Sequence, residues 1–257
     1  MNPRRRSARS RARWPEVVIA LVLLAIPFSM PAPVSANAST CQGSYRERHL
    51  GWLQGGLKWG AVATDISGAF AICTDPTPFT IAGSFAWSNI QGVGADSIVQ
   101  IGVGRCRRPV SSECDGSLKL LYAWGRAPGG SCLTQLPLPQ EISAWNGVAG
   151  SAEVTRIGAN WVLAWNGVGM IAIPYTYTSC SWTPTSATFF TETWNDGDSN
   201  GGNASSPYQI RHMQYQNAIG GAFTSVNTSS CNINDGGNAA KYKCTAFGDQ
   251  ISTWTVQ

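Results

Sequence analysis

The chain has 257 residues, of which only 12% are charged, with 28 Gly and 11 Trp. Its formal charge of +4 comes from the N-terminus, where six of the 18 basic residues fall within the first 13 positions. Without residues 1–36 the chain carries 12 basic and 13 acidic residues and no basic patch, which excludes a nucleic-acid partner.

Arg4, Arg5, Arg6, Arg9, Arg11 and Arg13 precede an apolar run from Val17 to Phe28. Small-residue cleavage sites follow at Val34-Ser35-Ala36 and Ala36-Asn37-Ala38. This is the plan of a secretory signal peptide, assigned to residues 1–36. The apolar run is short for a membrane span, and an uncleaved anchor is the rival reading. Residues 37–257 then form one exported β domain, with residues 37–58 as a mobile or removable pro-segment. Once the signal is gone no membrane contact is expected, and the chain is read as a monomer.

Abundant Gly, Trp, Asn, Ser and Thr suit an all-β protein with many turns. No long segment has a 3.6-residue apolar period, and no internal repeat appears. Strands are expected at residues 60–72 and 79–90, then over Ser97–Val103. There Val99, Ile101 and Val103 share the core face and Gln100 points the other way. Leu118, Leu120, Tyr122 and Trp124 alternate next. Residues 151–157, 160–165 and 170–177 follow. Trp145-Asn146-Gly147-Val148 and Trp165-Asn166-Gly167-Val168 repeat one tetrapeptide, and each reads as a hairpin turn. Residues 208–216 and 252–256 close the set. Ten or more short antiparallel strands imply two packed sheets, a jelly-roll sandwich.

All eight cysteines lie after the signal: Cys41, Cys73, Cys106, Cys114, Cys132, Cys180, Cys231 and Cys244. An even number in an exported chain argues for disulfides. Cys106–Cys114 and Cys231–Cys244 are the natural pairs, since each brackets a loop with turn residues. No Cys-x-x-Cys occurs, and His49 and His212 are the two histidines, so structural zinc is not expected.

The stretch that concentrates chemistry is Ser186–Trp194, an aromatic and β-branched strand. Alternation puts Phe190, Glu192 and Trp194 on one face and Thr191 and Thr193 on the other. A carboxylate between two aromatics is an unusual placement in a chain with 14 acidic residues. The polar loop that follows contains Asp196, Asp198 and Asn200, which imitate the opening of a calcium loop. The glutamate such a loop needs at its end is Pro207 here.

These pieces, in this order, resemble the glutamic peptidases (eqolisins). Ala86-Trp87, with Gln100 13 residues after Trp87, is similar to that family's Ala-Trp-Val-Gly-Ile-Asp … Leu-Gln-Thr-Gly. Leu121-Tyr122-Ala123-Trp124 is similar to its Trp-Tyr-Glu-Trp. Residues 187–194 resemble its Ala-Glu-Trp-Ile-Val-Glu-Asp-Phe, and residues 213–218 its strand ending in Phe-Thr-Asn-Ala. The resemblance implies a concanavalin-like jelly roll, acid endopeptidase activity on a polypeptide substrate, and no cofactor or metal. It places the catalytic pair on Gln100 and Glu192, with Trp87, Tyr122, Trp124 and Trp194 lining the substrate groove. The sequence departs from the family at Ala123, at Asn89–Gly94, and at Thr188, where the family has the first glutamate of Ala-Glu-Trp.

The implied chemistry is coherent. A carboxylate can take a proton from water as it attacks a peptide carbonyl. A neutral amide can donate to the developing oxyanion, a contact worth about 3–4 kcal/mol of barrier. Rival readings stand beside it. Gln100 is an ordinary sheet residue, or Glu192 pairs with Arg211 or Lys119 or caps the following loop. The tryptophans are packing, or they stack sugars in a polysaccharide-binding module. No Gly-x-Ser-x-Gly, dinucleotide or P-loop fingerprint is present.

Overall fold

The computed structural model describes residues 39–42, 45, 47–66, 70–74, 81–92, 97–109, 113–125, 139–144, 147–174, 183–234 and 240–256. The expected signal peptide, Cys132 and Cys180 lie outside them. Among the described residues there are strands and no helix. In chain order the strands are β1 (Arg48–Gly55), β2 (Gly60–Ile66), β3 (Ala82–Gly92), β4 (Ile98–Arg107), β5 (Asp115–Gly125) and β6 (Gln140–Ala144). They continue with β7 (Gly150–Ile157), β8 (Asn160–Trp165), β9 (Val168–Pro174), β10 (Pro184–Thr193) and β11 (Gly202–Asn203). The last are β12 (Ser206–Gln216), β13 (Phe223–Ser225), β14 (Asn232–Asn234), β15 (Tyr242–Phe247) and β16 (Gln250–Thr255).

These strands make two antiparallel sheets, as the alternation implies. A seven-stranded sheet runs β14-β1-β10-β3-β4-β5-β6. A nine-stranded sheet runs β15-β16-β12-β2-β7-β8-β9, with β11 and β13 added to β12. Alternation decides what each face meets. Ala86 and Ile90 of β3, Val99, Ile101 and Val103 of β4, and Ala187 and Phe189 of β10 point inward. They meet Ala61 and Ala63 of β2, Val154 of β7, Leu163 of β8 and Ile210 of β12 in one buried core. Burying a side chain of this size stabilises by about 1.5–3 kcal/mol relative to exposure.

Among the described residues three disulfides staple the sandwich: Cys41–Cys73, Cys106–Cys114 and Cys231–Cys244. The two pairings expected from proximity are present. The third ties the segment before β1 to the one before β3.

Two expectations change here. The expected pro-segment contains β1, which is hydrogen-bonded to β10 on one edge and to β14 on the other. A strand inside a sheet cannot leave without orphaning the backbone groups of both neighbours. The repeated tetrapeptide divides into two different devices. Asn166 (φ 52°) and Gly167 (φ 75°) turn the β8–β9 hairpin in the left-handed conformation that such a turn needs. Trp145 and Asn146 of the first copy lie outside the described residues, and the strands that bracket it, β6 and β7, belong to different sheets, so they do not form a hairpin.

Candidate functional site

The seven-stranded sheet has a second face, turned away from the core. Cross-strand register arranges its side chains in rows. One row is Leu53, Thr188, Asn89, Gln100 and Ala123, taken from β1, β10, β3, β4 and β5. The next holds Gly51, Phe190, Trp87, Gly102 and Leu121, and the third His49, Glu192, Phe85, Gly104 and Lys119.

Glu192 is 5% exposed and its carboxylate is held by two indoles. Trp87 Nε1–H donates to Oε2 at 2.6 Å, and Trp194 Nε1–H donates to Oε1 at 2.5 Å. Trp87 reaches it diagonally across the β3–β10 pair, a distance that long aromatic side chains span. Phe85, Trp87, Leu121, Trp194 and the Cys106–Cys114 disulfide form a second, smaller apolar cluster around this carboxylate. Gly102 and Gly104 make room for it, since a Cβ on either would run into the Trp87 or Phe85 ring. Phe85 stacks on Trp87 with centroids 5.2 Å apart, and Trp194 packs against Phe85 at 4.7 Å.

The segment before and within β1 lies over the cluster. The Tyr45 ring meets the edge of Trp194, and its hydroxyl donates to the Glu47 carboxylate. Burial, with the Glu47 carboxylate beside it, pushes the Tyr45 phenol upward. His49 stands directly opposite Glu192 in the β1–β10 ladder, with Nε2 3.9 Å from Glu192 Oε1. It packs edge-on against Phe190. Glu47, His49 and Glu192 thus bring three ligand-type atoms within 4.8 Å of one another.

The Gln100 row is different in character. Asn89 Nδ2 donates to Thr188 Oγ1 at 2.6 Å. The side-chain carbonyl oxygens of Asn89 and Gln100 are both buried, with no hydrogen-bond partner among the described residues. Buried acceptors normally find donors, so two orphans side by side mark a place where something else supplies N–H or O–H.

Each sequence-predicted residue can now be placed. Gln100, Glu192 and Trp87 share the second face, and Trp194, just past the end of β10, joins them. Gln100 and Glu192 are nevertheless separated by one intervening strand and four positions along the ladder. That is about 16 Å between Cα atoms, and the Trp87 row lies between. Trp87 and Trp194 are 0% and 3% exposed, so neither presents an open ring. Tyr122 and Trp124 point to the opposite side, against the inter-sheet core, because Ala123 is the residue that shares a face with Gln100. Glu192 does not pair with Lys119, which holds Asp115 and Glu141, or with Arg211, which faces Asp65.

The calcium-like loop is also explained. Asp198 is fully buried and accepts from the backbone N–H groups of Cys73, Gly83, Trp194 and Asn195. Burial raises its carboxyl to about 6, against the pull of those four donors. Asp196 pairs with the buried Arg48 at 2.5 Å. The two carboxylates are therefore used in different places. Sequence reasoning missed Glu47 and His49, because a partner 143 residues away in the chain leaves no local signal.

The fold and this face define a disulfide-stapled β-sandwich with an indole-held carboxylate. No protein-family model matches the chain, and no curated protein matches it. Among solved structures it is similar to SCP-B, a member of the eqolisin family of peptidases in a complex with the tripeptide Ala-Ile-His. The identity is 14% and the TM-score 0.48, covering 83% of this chain and 100% of that one.

Proposed function

We propose that this chain is an exported, monomeric β-sandwich that binds extended polypeptide and does not hydrolyse it. The observation that carries the reading is the Gln100–Asn89–Thr188 row, with two amide carbonyls that have no partner among the described residues. A peptide group offers an N–H to such carbonyls and a C=O to an amide N–H, so it complements a row of amides. Acid endopeptidase activity would need Gln100 and Glu192 within hydrogen-bond reach of one carbonyl and its attacking water. Their separation on the ladder disfavours this. The β10 residue in Gln100's own row is Thr188, whose hydroxyl cannot serve as the general base.

A polysaccharide-binding role fits less well, because Trp87 and Trp194 are shut away from stacking. Glu47 and Glu192 stand close enough to suggest a glycosidase pair, yet both Glu192 oxygens already accept from indole N–H groups.

Isothermal titration of the mature chain with short unstructured peptides, with mass spectrometry of the same mixtures at pH 4 and 7, tests the reading. The expected result is saturable binding, weakened about tenfold by Gln100→Ala, with every peptide intact. Cleavage abolished by both Gln100→Ala and Glu192→Gln would restore the endopeptidase reading. Binding of oligosaccharides and not peptides would replace it with the carbohydrate one.

A further inference from the structure

We infer that Glu47, His49 and Glu192 form a binding site for one divalent cation of the zinc type. The ladder itself builds the site. His49 and Glu192 are direct cross-strand partners, and Glu47 lies two residues before His49, hence on the same side of the chain. Their ligand atoms fall within 4.8 Å of one another. A cation about 2.1 Å from each ligand draws them to roughly 3.4 Å apart. Glu47 is exposed, and its carboxylate would make that move while still accepting from the Tyr45 hydroxyl through its other oxygen.

Two further observations favour a cation. Glu192 is a buried carboxylate whose hydrogen bonds come from neutral indoles. A buried negative charge is costly without a positive one beside it. The indole N–H groups also fix the carboxylate's orientation, as outer partners do for metal-ligating carboxylates. The ligands grade from buried Glu192 through half-buried His49 to exposed Glu47, which leaves an entry path and an open coordination position. One imidazole with two carboxylates suits zinc and its first-row neighbours. Magnesium and calcium prefer oxygen ligands alone.

The test is calorimetric titration of the purified, disulfide-intact chain with zinc chloride, followed by magnesium and calcium chlorides. One zinc per chain is expected, with no saturable uptake of magnesium or calcium. His49→Ala and Glu47→Gln should each weaken zinc binding about tenfold or more. Glu47 is exposed, so Glu47→Gln leaves the fold intact and guards against a misfolded His49→Ala. His212→Ala is the control, because His212 lies on β12 in the other sheet and faces Asp249. Absence of saturable zinc binding would overturn the site. So would binding that survives both His49→Ala and Glu47→Gln, or binding lost in His212→Ala.

Discussion

Asp198 shows how much of the molecule rests on a single side chain. Its carboxylate fixes four backbone N–H groups from three separate segments, around Cys73, Gly83 and Trp194. Burial raises its pKa to about 6, above the usual carboxylate range. A raised pKa in the folded state means stability that is complete below about pH 4 and is lost as the pH rises through 6. The difference between pH 4 and pH 7 from this group is on the order of 3 kcal/mol. Denaturant melts at pH 4, 5, 6 and 7 should therefore show a stability that falls with pH. In Asp198→Asn the slope should vanish, and the melting temperature should drop by roughly 10 °C, because an amide opposes part of that N–H set with its own. A flat profile in the unaltered chain would contradict the assignment. At this scale the sequence was half legible. Alternation alone placed Glu192 between aromatics, and the loop's turn chemistry was plain. It could not show that Asp198 faces inward to backbone amides, nor that His49 faces Glu192, since both depend on long-range register.

Among the elements, β4 is the most constrained. Gly102 and Gly104 sit where the rings of Trp87 and Phe85 cross the strand, and a Cβ on Gly102 would also collide with the Ala86 carbonyl oxygen. Gly102→Ala should destabilise the fold by about 1–3 kcal/mol, the usual cost of overpacking. It should also shift the Trp87 fluorescence, as the indole is pushed off the Glu192 carboxylate. An unchanged melt would show that the ring can yield. Strands of this kind were legible where alternation is clean, as in β4, β5 and β12. Others were not. β1 falls inside the segment expected to be mobile or removable, and Gly51 and Gly55 interrupt its alternation. Its place between β10 and β14 comes from partners it meets only in three dimensions. Tyr122 and Trp124 were legible as alternating residues, yet which face of β5 is inward depends on register against β4.

For the whole molecule, the disulfides distribute stability unevenly. The chain-entropy relation gives about 3–4 kcal/mol for Cys41–Cys73, which spans 32 residues, and about 2–3 kcal/mol for Cys106–Cys114, which spans 8. Replacing both cysteines of a pair by serine should lower the denaturation midpoint more for Cys41–Cys73 than for Cys106–Cys114. The reverse order would mean that the apolar cluster around Cys106 and Cys114 matters more than loop closure. Disulfide bonding was legible in the even cysteine count, but the Cys41–Cys73 pairing was not, since no turn brackets it.

β1 begins near residue 48, while the strands that flank it, β10 and β14, begin at 184 and 232. A nascent chain emerging from the ribosome therefore offers β1 nothing to zip against until most of translation is done. The seven-stranded sheet cannot close from one end, and its assembly waits on the last quarter of the polypeptide. That delay leaves the early segments exposed to sticking to one another until the tail arrives.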